Sequence, residues 1–144
     1  MRLGDESATR DFGRRLAGVL RPGDVVTLSG PRGVGKTELV RGLIAALGHY
    51  GEVPSPSFAI VQPYEELRQP VWHVDLYRIE DPGELDELGL DTLDDAVLLV
   101  EWPDKAGEGK WPNALRLTLD FAEDGARRLT AHVPPAWQER WPLP

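Results

Sequence analysis

The stretch that decides the fold runs from Thr27 to Leu43 and reads TLSGPRGVGKTELVRGL. Its centre, Gly30 to Thr37, has the Walker A spacing G-x-x-x-x-G-K-T. The apolar run DVVTLSG precedes this loop, and a segment with helical periodicity follows it until Gly48. The sequence therefore predicts a strand, a phosphate-binding loop and a helix, in that order.

The residue types of this loop suit a phosphate group. Gly30 and Gly35 lack a Cβ, so the backbone can pass close to the anion and adopt positive φ. The loop N–H groups and the helix N-terminus direct partial positive charge at the same point. Lys36 is placed for the β- and γ-phosphates and the Thr37 hydroxyl for Mg²⁺. The predicted nucleotide-binding residues of the loop are Gly30, Arg32, Gly33, Val34, Gly35, Lys36, Thr37 and Glu38.

Two carboxylates are candidates for the metal side of this site. Glu101 follows the five apolar residues of AVLLVE, and Asp75 ends the more mixed strand VWHVD. Ligands of open α/β sheets bind at the carboxyl ends of the strands, so either residue or both can face the loop. His73 shares a strand face with Asp75. It is a candidate to orient Asp75 or a water, or else a hydrogen-bonded structural histidine.

The nucleotide predicted for this loop is ATP. GTP-binding proteins read guanine with Asn-Lys-x-Asp, and the only asparagine of this chain is Asn113, in WPNA. The DELG stretch matches Asp-x-x-Gly but falls in a predicted acidic helix, where Gly89 is expected to end the helix. A small-molecule kinase is the alternative class, and kinases usually add an arginine-bearing lid. Arg127 and Arg128 form the only adjacent basic pair after the loop helix, in a predicted hairpin.

The remaining patterns predict one α/β domain spanning residues 1–144. A helix near the N-terminus is expected with Ser7 or Thr9 as its cap. ALRLTLDF and DGARRLTAHV alternate like the two strands of a hairpin, and the tail over 134–144 is expected to be irregular. The predicted architecture is P-loop-like: a mostly parallel sheet flanked by helices, with an added antiparallel C-terminal hairpin.

Composition narrows the possible partners and location. The chain of 144 residues has a formal charge of −8, no cysteine and no long apolar run. Its N-terminal stretch MRLGDESATRDF has no apolar core, so we expect no secretory signal. We therefore expect a cytoplasmic protein without membrane contact, and such a surface repels nucleic acid. Eight acidic residues fall between Glu80 and Asp95, without Lys or Arg. This acidic segment is either a solvated face or a docking surface for a basic partner.

Four motifs resemble, in order and spacing, the bacterial TsaE family, formerly called YjeE. They are GPRGVGKTELVRGLIAALG, VPSPSFAIVQPYE, HVDLYRIEDPGELDELGL and LLVEWPDKA. The N-terminal DESATRDFGRRLA is also similar, so the resemblance covers at least residues 5–105. The Asp-Leu-Tyr-Arg and Glu-Trp-Pro motifs are far more specific than the Walker A loop alone.

The resemblance implies a small Mg²⁺-dependent ATPase of tRNA modification. Family members assist threonylcarbamoyl transfer to adenosine 37 of tRNAs that read codons starting with A, together with the partner proteins TsaB and TsaD. TsaD is the transferase, and the ATPase resets or gates the complex. The resemblance therefore predicts tRNA contact only through the partners, and we expect slow hydrolysis that the partners stimulate.

The resemblance also assigns roles to residues. Lys36 and Thr37 hold phosphate and Mg²⁺, Glu101 lies on the Mg²⁺ side, and Asp75 is the other functional carboxylate. Lys36, Asp75 and Glu101 are then the expected catalytic residues, and the expected metal ligands are Thr37, Glu101 and Asp75. Further residues expected at the nucleotide are Trp102, Thr9 and Arg128.

The chain departs from the family pattern at several positions. Ser55 and Ser57 fall in a switch-like motif that usually reads Ser-Pro-Thr, so Ser57 keeps the hydroxyl and loses the methyl group. Family loops usually read Gly-Asp-Leu-Gly-Ala-Gly-Lys-Thr-Thr, and none of the differences here removes a phosphate-binding group. Glu38 adds a negative charge in the first helical turn, which suits the helix dipole but not a nearby phosphate. Arg32 could offset that charge.

Overall fold

The computed structural model of the chain describes residues 1–49, 51, 53, 61–90, 95–107 and 109–144. These contain two α-helices and seven strands. The helices are α1 (Glu6–Ala17) and α2 (Lys36–Ala46). The strands are β1 (Arg2–Leu3), β2 (Val25–Ser29), β3 (Val61–Tyr64), β4 (Val71–Asp75), β5 (Val97–Glu101), β6 (Leu115–Phe121) and β7 (Arg127–His132).

All seven strands form one sheet in the order β1-β7-β6-β2-β5-β4-β3. The four central strands β6, β2, β5 and β4 are mutually parallel. The outer pairs are antiparallel, so β6 and β7 form the C-terminal hairpin and β3 pairs with β4. The predicted fold class is therefore confirmed: a mixed α/β sheet with mostly parallel core strands flanked by helices.

The two faces of the sheet are covered differently. On one face, Val71 and Leu99 belong to a buried cluster with the apolar sides of α1 and α2. On the other face, Val74 and Val100 pack with residues of the segment after β4, including Ile79. Every residue of β5 is buried, as expected for a central parallel strand covered on both sides. The helices cross closely, because a Cβ built on Gly42 would lie 2.0 Å from the backbone oxygen of Arg10.

Several local predictions differ from the structure. Asp5, not Ser7 or Thr9, caps α1, since its side chain accepts a hydrogen bond from the Ala8 N–H at 2.8 Å. The predicted acidic helix is a 3-10 helix over Pro82–Leu88, and left-handed Gly89 ends it as expected. In the C-terminal tail, Pro135–Arg140 form another 3-10 helix, and its tryptophan lies in the core.

In the described part of the chain, no helix has the length and apolar character of a membrane span.

Candidate functional site

A cleft of about 420 Å³ lies at the carboxyl ends of the central parallel strands. Its walls come from the loop between β2 and α2, the ends of β4 and β5, the start of α1 and the start of β7. The lining residues include Thr9, Arg32, Gly33, Val34, Gly35, Lys36, Thr37, Glu38, Asp75, Tyr77, Arg78, Glu101, Trp102 and Arg127. Chain segments more than 90 residues apart therefore meet at the predicted phosphate loop.

Two glycines give the loop its path. Gly30 has φ 141°, and a Cβ there would lie 2.3 Å from the backbone oxygen of Leu119 in β6. Gly35, at φ 113°, is the N-cap of α2 and has no side chain to accept the N–H groups of the first helical turn. That turn and its partial positive charge therefore face the cleft, which is the arrangement that binds phosphate.

Lys36 is buried at the floor of the cleft, with 6% of its surface exposed. Its Nζ donates a hydrogen bond to the Gly30 oxygen at 2.7 Å and lies 4.0 Å from Glu101 Oε1. It also lies 4.2 Å from the centre of the Trp102 ring, a cation–π contact. Burial lowers the pKa of Lys36, and the charges of Glu101 and Asp75 partly oppose that shift.

Asp75 and Glu101 lie side by side, because β4 and β5 pair them in register. Glu101 is 4% exposed, and its Oε2 accepts a hydrogen bond of 2.7 Å from Nε2 of the fully buried His73. Asp75 is half-buried, and its Oδ1 accepts from the Tyr77 N–H at 2.9 Å. Burial, and to a lesser extent the nearby Glu101 charge, raises the pKa of Asp75.

Aromatic rings form one wall of the cleft. Tyr77 and Trp102 have ring centres 5.0 Å apart, and the Arg32 guanidinium lies 5.2 Å from the centre of the Tyr77 ring. Trp102 has the left-handed conformation φ 57°, ψ 51°, which costs a non-glycine residue about 1–2 kcal/mol. This conformation turns the chain directly after Glu101 and lets the indole lie over Lys36.

Charges around the loop are paired differently from the sequence-based expectation. Arg32, which was expected to offset Glu38, lies over an aromatic ring instead. Glu38 pairs with Arg41 in its own helix and with Arg10 of α1, at 3.6 Å. These two arginines offset the negative charge of Glu38 at the edge of the phosphate loop.

The cleft brings together most of the predicted site residues. Thr9 lines it, while Gly30 lies just below and shapes the loop. Arg128 is exposed on β7 and does not line the cleft. Its neighbour Arg127 does line it, and donates a 2.8 Å hydrogen bond to the Val34 oxygen. Successive side chains of a strand point to opposite faces of the sheet, so two adjacent arginines cannot both face the cleft. Ser55 and Ser57 lie outside the described residues.

Sequence reasoning missed two further cleft residues that carried a signal. Tyr77 stands in the Asp-Leu-Tyr-Arg motif, and Arg127 stands beside the predicted Arg128. Within the described part of the chain, no group of three or more His, Cys, Asp or Glu residues is arranged to hold a metal ion. A nucleotide-bound Mg²⁺ needs only one or two carboxylates besides phosphate and water. Asp75 and Glu101 are two such carboxylates in the cleft lining, and Thr37 adds a hydroxyl there.

The strand, phosphate loop and helix, set at the carboxyl edge of a parallel sheet, define a P-loop-type α/β protein. Residues 3–129 match the sequence profile of the family described as threonylcarbamoyl adenosine biosynthesis protein TsaE. The chain therefore belongs to the TsaE family, and its function lies in tRNA threonylcarbamoyladenosine biosynthesis.

Individual relatives agree with this assignment. The chain is 42% identical over 137 residues to the tRNA threonylcarbamoyladenosine biosynthesis protein TsaE of Streptomyces coelicolor, covering 92% of this chain and 93% of that protein. It is 35% identical over 128 residues to the TsaE of Haemophilus influenzae, covering 83% and 80%. The crystal structure of Bacillus subtilis YdiB superposes with a TM-score of 0.82 at 30% identity, covering 96% of this chain and 87% of that one.

Proposed function

We propose that the protein binds ATP with Mg²⁺ and hydrolyses it as the switch subunit of a threonylcarbamoyl transferase complex. The observation that carries this proposal is the convergence of Lys36 with two strand-end carboxylates, Asp75 and Glu101, beside one phosphate loop. A lysine ammonium, a helix N-terminus and a metal-side carboxylate are what P-loop proteins use to hold and cleave a phosphoanhydride.

Each group has a role in this chemistry. Lys36 binds the β- and γ-phosphates, and its low exposure strengthens the attraction because water screens it little. Thr37 and one or both carboxylates would hold Mg²⁺, which neutralises charge that develops on the phosphates. The raised pKa of Asp75 suits a group that orients the attacking water or accepts a proton from it.

Slow hydrolysis by the isolated protein is part of the proposal. Arg32 is held against Tyr77, and Arg127 donates a hydrogen bond to the Val34 oxygen. We therefore assign neither arginine the role of stabilising the charge on the γ-phosphate. In related enzymes, an arginine supplied by a partner raises the rate by about 10³–10⁵. We propose that TsaB and TsaD complete the site in this way, and that tRNA meets the protein only through that complex, in the cytoplasm. Modification is then directed to adenosine 37 by the transferase.

The test is phosphate release at saturating ATP and Mg²⁺, with the protein alone and with TsaB and TsaD added. We expect an increase of at least about tenfold on adding the partners, since a trans-acting arginine alone is worth more than that. Fast turnover that the partners leave unchanged would refute the gating role. Transfer of phosphate to a small acceptor, followed with γ-labelled ATP, would favour a kinase instead.

A further inference from the structure

His73 is a buried polar residue that the proposed chemistry does not use directly. It is 0% exposed and lies behind the cleft, outside its lining. Its neighbours on the same sheet face include Val71 and Leu99, which pack under the helices. An apolar side chain would fit these surroundings, so packing alone does not explain why an imidazole is buried here.

The hydrogen bond to Glu101 supplies that reason. A carboxylate oxygen only accepts, so His73 Nε2 carries the hydrogen and donates to Oε2 at 2.7 Å. Nδ1 of the same ring is buried and has no partner among the described residues. Leaving a buried polar atom without a partner costs stability, about 1–3 kcal/mol. The imidazole therefore makes one directed bond within the described structure, and that bond ends on a cleft carboxylate.

The two oxygens of Glu101 are divided between the core and the cleft. Oε2 is taken by His73, while Oε1 lies 4.0 Å from the Nζ of Lys36. Without the bond to Oε2, the carboxylate could rotate and present either oxygen at other angles. We propose that His73 is a positioning residue, which holds Glu101 so that Oε1 faces Lys36 and the Mg²⁺–nucleotide. This inference rests on the proposed function.

The test compares three substitutions that differ in one property. The amide nitrogen of His73→Gln reaches about as far as Nε2, that of His73→Asn stops short, and His73→Leu has no donor. Loss of an outer-shell bond costs about 10–100-fold in metal affinity or activity. We expect the Asn and Leu variants to lower kcat and to raise the Mg²⁺ concentration for half-maximal turnover by at least about tenfold. The Gln variant should stay within about threefold of wild type, because it restores the bond.

A second readout avoids turnover altogether. Titration calorimetry gives the ADP affinity with and without Mg²⁺, and only the affinity with Mg²⁺ should fall in the Asn and Leu variants. Equal losses in both conditions, or a Gln variant as impaired as Asn, would assign His73 a purely structural role. Denaturant unfolding identifies any variant that does not fold. If the Leu variant does not fold, the comparison of the Gln and Asn variants still decides the test.

A double-mutant cycle with Glu101→Ala, which leaves no oxygen to accept the His73 hydrogen bond, completes the test. If His73 acts only through Glu101, then adding His73→Asn to Glu101→Ala should lower the rate no further. Additive losses would overturn the inference while leaving the proposed ATPase intact. A wild-type protein without any Mg²⁺-dependent binding or turnover of ATP would instead overturn the proposed function, and this inference with it.

Discussion

Replacing Lys36 with methionine separates nucleotide binding from folding. The variant removes the ammonium group and keeps an unbranched side chain. Burial lowers the pKa of Lys36, so the folded protein holds this cation at a cost that methionine relieves. The lost hydrogen bond to the Gly30 oxygen acts in the opposite direction, and Glu101 keeps its bond from His73. We therefore expect the free energy of unfolding without nucleotide to change by about 1 kcal/mol or less.

The effect with nucleotide should be much larger. ATP at about 100 times the wild-type Kd stabilises the folded state by about 2.7 kcal/mol. For a chain of 144 residues this raises Tm by about 10 °C. Loss of a charged hydrogen bond of about 2 kcal/mol weakens binding about thirtyfold. At the same ATP concentration, the variant would then gain about 0.9 kcal/mol, or about 3 °C.

Thermal unfolding at one fixed concentration of ATP and Mg²⁺ measures this difference. Lys105→Met is the matched control, because Lys105 is exposed and lies outside the cleft lining. It should keep the full ATP-dependent increase in Tm. A Lys36→Met variant that also keeps the full increase would refute the assignment of the phosphate site.

Three further predictions concern other parts of the structure. Asp75→Asn should raise the free energy of unfolding at pH 7 but slow ATP hydrolysis. Because burial raises the pKa of Asp75 above its ordinary 3.8, the charged carboxylate destabilises the folded protein at pH 7 and the amide does not. Denaturant unfolding should therefore show the gain disappearing as the pH falls towards 3.8. Arg127→Met should weaken ATP binding about fivefold by calorimetry, because it removes the hydrogen bond from Arg127 to the Val34 oxygen in the phosphate loop. An equal loss of affinity in the control Arg128→Met would contradict the placement of these arginines. Gly42→Ala should lower the free energy of unfolding in urea by about 3 kcal/mol, while Gly4→Ala, with open space around it, should change it little, and similar values for both would rule out a tight helix crossing.

The phosphate loop and its neighbouring elements were predictable because their signals are local. The spacing from Gly30 to Thr37, the apolar strand before it and the helix after it all lie within about one supersecondary unit. The almost wholly apolar run DAVLLVEW, which contains β5, indicated burial on both faces. Their positions at the ends of two predicted strands made Asp75 and Glu101 candidates, and the family motifs predicted the same two residues, without any knowledge of the strand order.

Predictions failed where several residues had the same local propensity. Asp5, Ser7 and Thr9 all favour a helix N-cap, and the first of them takes the position because β1 ends at Leu3 and the helix already begins at Glu6. β1 itself has only two residues, and it exists through pairing with β7. Neither the strand nor its consequence for the cap follows from a local pattern.

The sequence by itself determined the P-loop class and the family, because contiguous residues carry these signals. It also predicted that Asp75 and Glu101 lie at the loop, and the structure places both in the cleft lining. Only the tertiary structure decided that His73 meets Glu101, 28 residues away, and that Arg127 rather than Arg128 enters the cleft. Both outcomes depend on strand order and register. A shift of one residue in register turns each side chain to the opposite face, and long-range packing fixes that register.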